Sequence, residues 1–350
     1  MIDFSNFKNS NILVVGGAGF VGSNLVRMLL NNSGLNQIAI VDNLLSSEKI
    51  NIPTYSRIQF IKGSIANNKT LGKINDSFDY VFHLATFHGN QNSIFNPIAD
   101  HSNNALTTLK LFNHVKNFRR LKKVVYSSAG CSVAKKTHNT ASATTEDDPI
   151  EIAQDSPYSI SKIVGEFYSV YYFKQHKLPV VRARFQNVYG PGEILGAGKW
   201  RGTYATVWRN VTPTFIYKAL KGLPLPLENN GNATRDFIYV DDICRGLILC
   251  ALNGKPGDVY NLASGKEISI RELAGTINNI TGNVAGFEVQ PKRDWDNSGK
   301  RFGSTIKSKK ELGFEACIEL TEGLYKTIDW TKSNLDLIEK NIRKHNKYML

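Results

Sequence analysis

The chain has 350 residues, of which 41% are hydrophobic and 21% are charged. This length and composition are typical of a globular protein with a sizeable core, and they predict two lobes. No apolar run approaches the roughly 18 residues of a membrane helix, and the first residues lack the basic and then apolar pattern of a signal peptide. We therefore expect a cytoplasmic protein without a membrane partner.

The formal net charge of +13 raises the possibility of nucleic-acid binding. The Lys and Arg residues are spread through the chain, however, and gather only at positions 340–347. A diffuse basic surface around a site for an anionic ligand is the simpler interpretation, so no nucleic-acid partner is expected. The four cysteines, Cys131, Cys244, Cys250 and Cys317, lack metal-ligand spacing, which predicts free thiols and no metal site.

Residues 12–22 hold the first motif of the chain. The apolar run 12–15 predicts a buried strand, and Gly16, Gly19 and Gly22 follow at the G-x-x-G-x-x-G spacing before apolar residues continue at helical spacing. Such glycines allow a sharp turn, close approach to a pyrophosphate and packing of the helix on the strand. A second apolar run ends at Asp42, where a carboxylate can bind both hydroxyls of an adenosine ribose. Because Asp42 would repel a 2′-phosphate, we predict NAD rather than NADP.

Strands and helices alternate through the first half of the chain. Further strands are predicted at 57–61, 80–84, 123–126 and 180–185, and long helices at 100–118 and 157–176, the second with Ser156 as its cap and Pro157 in its first turn. This alternation predicts an α/β fold with a Rossmann-type doubly wound parallel sheet, whose ligands lie at the carboxyl ends of the strands. The polar segment 135–155 is predicted to be a loop beyond one such end.

Glycine and proline interrupt the pattern from Asn187 onward, which is typical of a smaller, loop-rich lobe. Helices are predicted within it at 213–220, 241–252, 269–280 and 320–330. The predicted domains are a dinucleotide-binding domain over 1–186 and a smaller, mainly substrate-binding lobe over 187–350, with the chain free to cross between them.

Tyr158 and Lys162 are four residues apart in the helix predicted at 157–176, so their side chains lie on one helix face. A nearby ammonium favours the phenolate and lowers the pKa of a tyrosine from about 10 toward working pH. Pairs of this kind also occur by chance on surface helices. Here the pair follows a predicted dinucleotide fold and serines at a strand end, which favours Tyr158 as a catalytic base.

Together these motifs resemble those of the extended short-chain dehydrogenase/reductases that act on nucleotide sugars. The resemblance covers nearly the whole chain and rests on the glycine triplet, Asp42, Val81-Phe-His-Leu-Ala85, Ser127-Ser128, Tyr158 with Lys162, Phe185-Gln-Asn-Val-Tyr-Gly-Pro191, Arg235-Asp-Phe-Ile-Tyr-Val-Asp-Asp242 and Tyr260-Asn-Leu-Ala-Ser264. It implies an NAD-dependent enzyme with a catalytic serine, tyrosine and lysine in its first domain. Tyr158 would take the proton of a sugar hydroxyl, Ser128 would hold that hydroxyl and the developing ketone oxygen, and Lys162 would bind the nicotinamide ribose.

The resemblance also implies the residues that contact the two ligands. The implied NAD contacts are Gly16, Gly19, Phe20, Val21, Gly22, Asp42, Asn43, Ser64, Ile65, Leu84, Ala85, Thr86, Asn104, Tyr158, Lys162 and Phe185. The implied contacts to a nucleoside-diphosphate sugar are His88, Ser128, Asn187, Arg235 and Arg293, with the two arginines on its diphosphate. A surface salt bridge is the alternative for each arginine, and an ordinary loop position for His88, whereas His83 is expected in the core.

Three departures from the family pattern bear on the site. Ser64 stands after Gly63 where an aspartate is common, which removes one hydrogen-bond acceptor near the adenine. One alignment of the strand end makes Ser128 the catalytic serine and another gives that position to Ala129, and we prefer Ser128 because it keeps a hydroxyl at the site. Residues 193–210 are richer in aromatic residues and cations than the family pattern, and we expect them to line a distinctive sugar or base pocket.

The residues after Ser128 indicate the reaction type. Related 4,6-dehydratases place Asp-Glu after the catalytic residue, because elimination of water needs a second acid and base. Here Ala129 and Gly130 cannot transfer a proton, and Cys131 could do so only if the strand end were displaced. We therefore predict a 4-epimerase that acts through a 4-keto sugar with tightly bound NAD. A 4-dehydrogenase, a 4,6-dehydratase and a non-catalytic dinucleotide-binding regulator are the alternatives.

The helices predicted at 100–118 and 157–176 also bear on assembly. They resemble the helix pairs that form a four-helix dimer interface in this family, so a homodimer is expected. The alternative is a monomer in which both helices pack only on the sheet.

Overall fold

A seven-stranded parallel sheet forms the centre of the protein in the computed structural model, which describes residues 3–31, 34–130, 140–296 and 299–349. The strands of the described residues are β1 (Asn11–Val15), β2 (Gln37–Asp42), β3 (Ile58–Lys62), β4 (Tyr80–His83), β5 (Lys123–Ala129), β6 (Ala143–Thr144), β7 (Val180–Phe185), β8 (Asn187–Tyr189), β9 (Leu225–Glu228), β10 (Thr234–Arg235), β11 (Phe237–Tyr239), β12 (Val259–Leu262), β13 (Ile268–Ser269), β14 (Phe287–Gln290) and β15 (Phe302–Gly303). The order in the sheet is β3-β2-β1-β4-β5-β7-β12, and all neighbouring pairs are parallel.

The apolar runs of the sequence form the central strands because helices cover both faces of a parallel sheet. All five residues of β1 are buried, and Val15 at its end pairs with Val41 of β2 and with His83 of β4. The direction of the strand order reverses between β1 and β4, which opens a crevice at the carboxyl ends of these strands. The predicted Rossmann-type fold is confirmed.

The helices of the described residues are α1 (Phe20–Leu30), α2 (Asn68–Leu71), α3 (Asn90–Phe95), α4 (Pro97–Asn103), α5 (Ala105–Val115), α6 (Pro157–His176), α7 (Val211–Leu220), α8 (Val240–Leu252), α9 (Ile270–Thr281), α10 (Ile306–Leu312), α11 (Leu320–Ser333) and α12 (Leu335–Arg343). The predicted helix α6 is confirmed, and the side chain of Ser156 caps it by accepting the Ser159 N–H. The prediction of one helix over 100–118 was wrong. Two helices, α4 and α5, meet at Asn104, whose φ of −116° departs from the ideal helical value because its side chain binds the backbone of Phe87.

The chain returns to the central sheet after residue 187. Helix α8 packs beside α1, and β12 extends the sheet beyond β7. The smaller lobe contains α7 packed on α9 and the parallel pair of β9 with β14. Helix α12 closes a separate apolar cluster in which Ile338 and Ile342 pack against Ile194, Leu195 and Val207.

None of the helices within the described ranges is long and apolar enough to cross a membrane. Cys131, Ser132 and the first part of the predicted loop 135–155 lie outside the described residues. Cys244, Cys250 and Cys317 are free thiols, as predicted.

Candidate active site

A cavity of about 840 Å³ opens where the central strands end. Its lining includes the last residue of four strands, Val15, Asp42, Ala129 and Phe185. It also includes all the residues predicted to contact NAD or substrate except Gly19 and Asn104. The tertiary structure therefore brings together residues that are as far apart in the chain as positions 16 and 293.

The glycine turn, residues 16–22, leaves no room for side chains at two positions. Gly16 has a φ of +86°, and a Cβ added there would lie 2.5 Å from the Ala85 nitrogen. A Cβ on Gly22 would lie 2.2 Å from the Gly16 carbonyl oxygen. Gly19 caps α1, and a Cβ on it would approach only that same oxygen, at 3.2 Å. The space in front of the helix N-terminus thus fits a diphosphate, which N–H groups of the first turn would bind.

The Asp42 carboxylate organises the loop that follows β2. Its Oδ2 accepts the Ala18 N–H at 3.0 Å, and its Oδ1 accepts the Leu44 N–H at 2.8 Å and the Ser47 hydroxyl at 3.0 Å. Burial raises the pKa of Asp42, and these hydrogen bonds oppose the rise. The carboxylate is therefore fixed beside the glycine turn, within the cavity wall where ribose hydroxyls would reach it.

Tyr158 and Lys162 lie on one face of α6, as their spacing predicts. The Lys162 Nζ is 5.8 Å from the centre of the Tyr158 ring and donates a 2.9 Å hydrogen bond to the Ser127 carbonyl. Lys162 is only 4% exposed, so water screens its charge weakly. The Tyr158 N–H donates to the Ser93 hydroxyl of α3 at 3.1 Å. The lysine charge therefore lies beside the Tyr158 ring in a part of the site that water screens weakly.

Ser128 lines the cavity, but its hydroxyl belongs to a buried hydrogen-bond network. Its hydroxyl donates a 2.6 Å hydrogen bond to Glu166, and the residue is 2% exposed. Arg184 holds the same carboxylate through two hydrogen bonds of 2.8 and 2.9 Å. Because a hydroxyl has one proton to donate, that of Ser128 is committed to a buried ion pair rather than to a sugar oxygen. This geometry favours the other alignment, in which Ala129 occupies the position of the catalytic serine.

The two histidines near the site differ in their surroundings. His83 is 1% exposed with its Nε2 3.0 Å from the Thr108 hydroxyl, so it is the predicted core histidine. His88 lines the cavity, and its ring centre lies 6.0 Å from that of Tyr158. Burial, and then the charge of Arg209, lowers the pKa of His88 to about 3. The His88 ring is therefore neutral at pH 7.

Asn104 does not line the cavity but binds the loop after β4, whose residues do. Its side-chain oxygen accepts the Phe87 N–H at 2.7 Å and the Thr86 hydroxyl at 3.1 Å. Its amide donates at 2.7 Å to Asp100, a fully buried residue that also accepts the Ser161 hydroxyl. Asn104 thus shapes the loop after β4 from behind, and Asp100 ties that loop to α6. No sequence pattern singled out Asp100.

The two predicted diphosphate-binding arginines both line the cavity. Arg235 donates to the Gly299 carbonyl at 3.1 Å. Arg293 is paired with Glu228 and lies 5.6 Å from the centre of the Trp295 ring. The ion pair considered as the alternative for Arg293 is therefore present, and it lies within the wall of the cavity.

Comparison with known proteins identifies the family. Residues 12–263 match the model of the NAD dependent epimerase/dehydratase family. The chain belongs to this family.

Solved structures and a curated relative are similar to the chain over nearly its whole length. The crystal structure of the Bordetella bronchiseptica enzyme WbmF in complex with NAD+ and UDP has 62% sequence identity to this chain, covers 98% of both chains and gives a TM-score of 0.87. The structure of epimerase Mth375 from Methanothermobacter thermautotrophicus is 39% identical over 96% of both chains, with a TM-score of 0.88. The UDP-glucose 4-epimerase of Mycolicibacterium smegmatis is 29% identical over 92% of this chain and 98% of its own.

The cofactor of this epimerase/dehydratase is NAD, as predicted. The residues present fit it, because the glycine turn has space for a diphosphate and Asp42 lies where it would meet the ribose. Ser64 and Ile65, after β3, line the same cavity. When bound, NAD would be held by the turn, by Asp42 and by the loop after β4.

Residues 193–210 of the epimerase/dehydratase, here called the strap, cover the loop after β2. The guanidinium of the half-buried Arg209 donates to the Ser46 carbonyl at 2.9 Å and to the Ile194 carbonyl at 2.8 Å. Arg201, which is 6% exposed, donates to the Leu45 carbonyl at 3.0 Å. The cation-rich composition of this segment was visible in the sequence, but the positions that its arginines reach were not.

Glu193 is the acidic member of the strap. It is 4% exposed, lines the cavity and accepts a hydrogen bond from the Asn210 amide. Burial raises the pKa of Glu193 to about 7, although the charge of Arg209 and the Asn210 hydrogen bond oppose the rise. Glu193 is therefore only partly ionised at neutral pH.

The C-terminal residues hold the strap from outside. The His345 Nε2 lies 2.9 Å from the Gly196 carbonyl oxygen. Tyr348 stacks on Trp200 with ring centres 4.9 Å apart. The last helix and the residues beyond it thus form a layer over the strap, which in turn covers the loop after β2.

Proposed function

We propose that the protein is an NAD-dependent epimerase of a nucleoside-diphosphate sugar, acting at C4 through a 4-keto intermediate. The observation that carries this proposal is the pair of Tyr158 and Lys162 in the cavity, combined with the residues that follow Ser128. Under either alignment of the strand end, Gly130 stands at one of the two positions where 4,6-dehydratases carry Asp-Glu, and glycine has no side chain that could transfer a proton. Inversion at one carbon needs only one such group, whereas elimination across two carbons needs more.

Tyr158 is the acid and base of this reaction. Its phenolate oxygen removes the proton of the C4 hydroxyl, and the phenol returns a proton after the ketone has presented its other face. Lys162, held in place by the Ser127 carbonyl, stabilises the phenolate. Bound NAD supplies the hydride acceptor and donor for C4. Since the Ser128 hydroxyl is committed to Glu166, Tyr158 carries the hydrogen bond to the reacting oxygen without it.

The charges of the cavity support a substrate with a diphosphate. The cationic residues in its lining are Lys162, Arg209, Lys218, Arg235, Lys292, Arg293, Lys300 and Arg301. The acidic ones are fewer, namely Asp42, Glu193, Glu228 and Asp296. An excess of cations attracts polyanionic ligands, and guanidinium groups suit phosphate oxygens. NAD brings one diphosphate to the cavity. A nucleoside-diphosphate sugar held by Arg235 and Arg293 brings a second one, which the excess of cations favours.

The reaction is tested by incubating the protein with UDP-, GDP-, CDP- and dTDP-hexoses in D₂O and following the products by proton NMR. We expect inversion at C4 without solvent deuterium at C5 or C6, because the hydrogen that leaves C4 does not exchange with water. Deuterium at C5 in an epimerised product would contradict the proposal. A deuterated 6-methyl group on a 4-keto product would instead establish a 4,6-dehydratase.

Two further outcomes separate the remaining alternatives. Accumulation of a 4-keto sugar together with NADH would establish a 4-dehydrogenase. No turnover of any sugar nucleotide by protein that carries NAD would support a non-catalytic regulator.

We also propose that the protein is a homodimer formed through the two segments predicted as its interface, which fold as α4 with α5 and as α6. Helices α4 and α6 expose large apolar side chains, with Ile98 75% exposed, Ile160 51% and Phe167 57%. Packing two copies together would remove this surface from water. Light scattering at micromolar concentration should give twice the chain mass of 39.0 kDa, and Ile98→Asp should reduce it to the single mass. The single mass for the unchanged protein would reject the dimer.

A further inference from the structure

Arg209 lies against the loop that follows Asp42. Its hydrogen bond to Ser46 joins residues 163 positions apart, and both residues line the cavity. A guanidinium has five N–H donors, and the carbonyls of Ser46 and Ile194 use two of them. The Arg209 Nε is buried and has no hydrogen-bond partner among the described residues.

The chain just before the strap contacts the first turns of α1. The Asn24 side-chain amide donates to the Pro191 carbonyl at 2.9 Å and to the Phe20 carbonyl at 3.0 Å. A Cβ on Gly192 would lie 3.1 Å from that amide. Glu193 follows directly, so the strap begins beside the helix whose N-terminus faces the diphosphate position.

Arg209 shares the cavity wall with His88 of the loop after β4. It contacts the loop after β2 through Ser46, while the chain just before the strap contacts α1 through Asn24. In a Rossmann fold, the N-terminus of the first helix binds the diphosphate of the dinucleotide, and the end of the second strand binds the neighbouring ribose.

The strap carries more buried positive charge than its own carboxylate balances. Burial, and then the charge of Arg209, lowers the pKa of Arg201 to about 9. Glu193 is the carboxylate whose charge acts most strongly on the pKa of Arg209, and it is only partly ionised at neutral pH. Buried cations are stable only when anions or hydrogen bonds compensate them. A bound diphosphate would supply the missing negative charge.

We propose that Arg209, supported by Arg201, binds the diphosphate of NAD and so makes the strap a second wall of the cofactor site. The glycine turn binds this diphosphate through backbone N–H groups, and the strap adds a guanidinium charge. The consequence is retention of NAD, because the cofactor cannot leave until the contacts between the strap and the loop after β2 have opened.

The test measures binding of ADP-ribose, adenosine and UDP to nucleotide-free protein by calorimetry. In Arg209→Gln, ADP-ribose should bind about 10- to 100-fold more weakly because one charged contact to phosphate is lost. Adenosine, which lacks phosphate, should change by less than about threefold, and so should UDP. Lys199→Gln is the matched control, because it removes the same charge from an exposed position of the strap and should leave all three affinities unchanged.

Three results would overturn the proposal. Equal losses for adenosine and ADP-ribose would mean that Arg209 only supports the loop. A loss confined to UDP would place Arg209 in the substrate site, and an unchanged affinity for ADP-ribose would remove it from both.

Arg209→Lys provides a second variant in case Arg209→Gln does not fold. It keeps the charge, and its affinity for ADP-ribose should fall less than about tenfold while that for adenosine is unchanged. An equal loss for both ligands in this variant would again overturn the proposal. None of these measurements requires sugar turnover, so their outcome is separate from that of the proposed reaction.

Discussion

The two walls of the cavity are built by different kinds of contact. The Rossmann wall, which consists of the glycine turn, Asp42 and α6, depends on short-range pairs such as Asp42 with Leu44 and on neighbouring strands. The strap depends on pairs such as Gly198 with Glu48, which are 150 residues apart. Regular spacing in the sequence therefore reveals the first wall, and only folding creates the second.

The walls also differ in how completely their charged side chains are hydrogen-bonded. Asp42 accepts three hydrogen bonds, and Glu166 is bound by Arg184 and Ser128. In the strap, by contrast, Glu193 Oε2 and Arg209 Nε are buried without a hydrogen-bond partner within the described part of the chain. We infer that the Rossmann wall is complete before ligands bind, whereas the strap gains its charge balance from them. Four predictions can break or sharpen this comparison.

Tyr158→Phe should have the largest effect, because the Rossmann wall carries the chemistry. Turnover should fall about 100- to 10,000-fold, the usual contribution of a positioned acid or base. NAD affinity should change by less than about threefold, since one hydroxyl is lost. The measurement is turnover of a sugar nucleotide found by NMR, with Tyr171→Phe on the exposed face of α6 as control. Unchanged turnover in Tyr158→Phe would show that another residue transfers the proton.

Gly16→Ala should damage the Rossmann wall at its tightest point. Its φ of +86° and the 2.5 Å approach of a Cβ to the Ala85 backbone leave no low-energy arrangement. NAD should bind about 100-fold more weakly as a result of strain and displacement. Calorimetry can measure this against Gly275→Ala, where nothing lies within 4 Å of the added Cβ. Full NAD affinity in Gly16→Ala would mean that the turn tolerates displacement.

Ser128→Ala should affect turnover less than about fivefold, because the hydroxyl binds Glu166 rather than the reacting oxygen. It should instead lower the free energy of unfolding by about 1.5–3 kcal/mol, the value of a hydrogen bond to a charged group. Steady-state kinetics and urea unfolding separate the two effects. A loss of turnover as large as that of Tyr158→Phe would restore Ser128 as a catalytic residue.

Glu193→Gln should have the smallest effect, a change in how stability depends on pH. The pKa of Glu193 is raised to about 7 in the folded protein, above its usual value. Protonated Glu193 therefore adds to the free energy of unfolding. This contribution is fully present below the pKa that Glu193 has in the unfolded chain, and it is lost as the pH rises through about 7. We compare the Tm of nucleotide-free wild type with that of Glu193→Gln at each pH. From pH 5 to pH 8, the Tm of wild type should fall by about 2–5 °C more than the Tm of the variant. A Tm difference that is constant over this range would contradict the raised pKa.

The outcome for Ser128 shows where sequence reasoning reaches its limit. The spacing of Tyr158 and Lys162 defined their geometry, because residues four apart on a helix must share a face. For two consecutive serines on a strand, only their partners in space decide which hydroxyl remains available. Ser128 meets Glu166 of α6, and Ser127 donates to the His83 carbonyl of β4 at 2.9 Å. The sequence therefore identified the strand end that lies in the site, but it could not show which of its serine hydroxyls are already hydrogen-bonded.

The sequence by itself determined the Rossmann fold, the NAD cofactor, the family and the pairing of Tyr158 with Lys162. The fold and the pair follow from periods of two or 3.6 residues and from glycines at fixed spacing, which act within one strand, turn and helix. The choice of NAD follows from the charge of Asp42, and the family follows from the resemblance of the motifs along the chain. The tertiary structure alone decided the break at Asn104, the hydrogen bond of Ser128 to Glu166 and the path of the strap over the loop after β2. These depend on hydrogen bonds between residues distant in the chain, and a buried group takes whichever partner folding brings within reach.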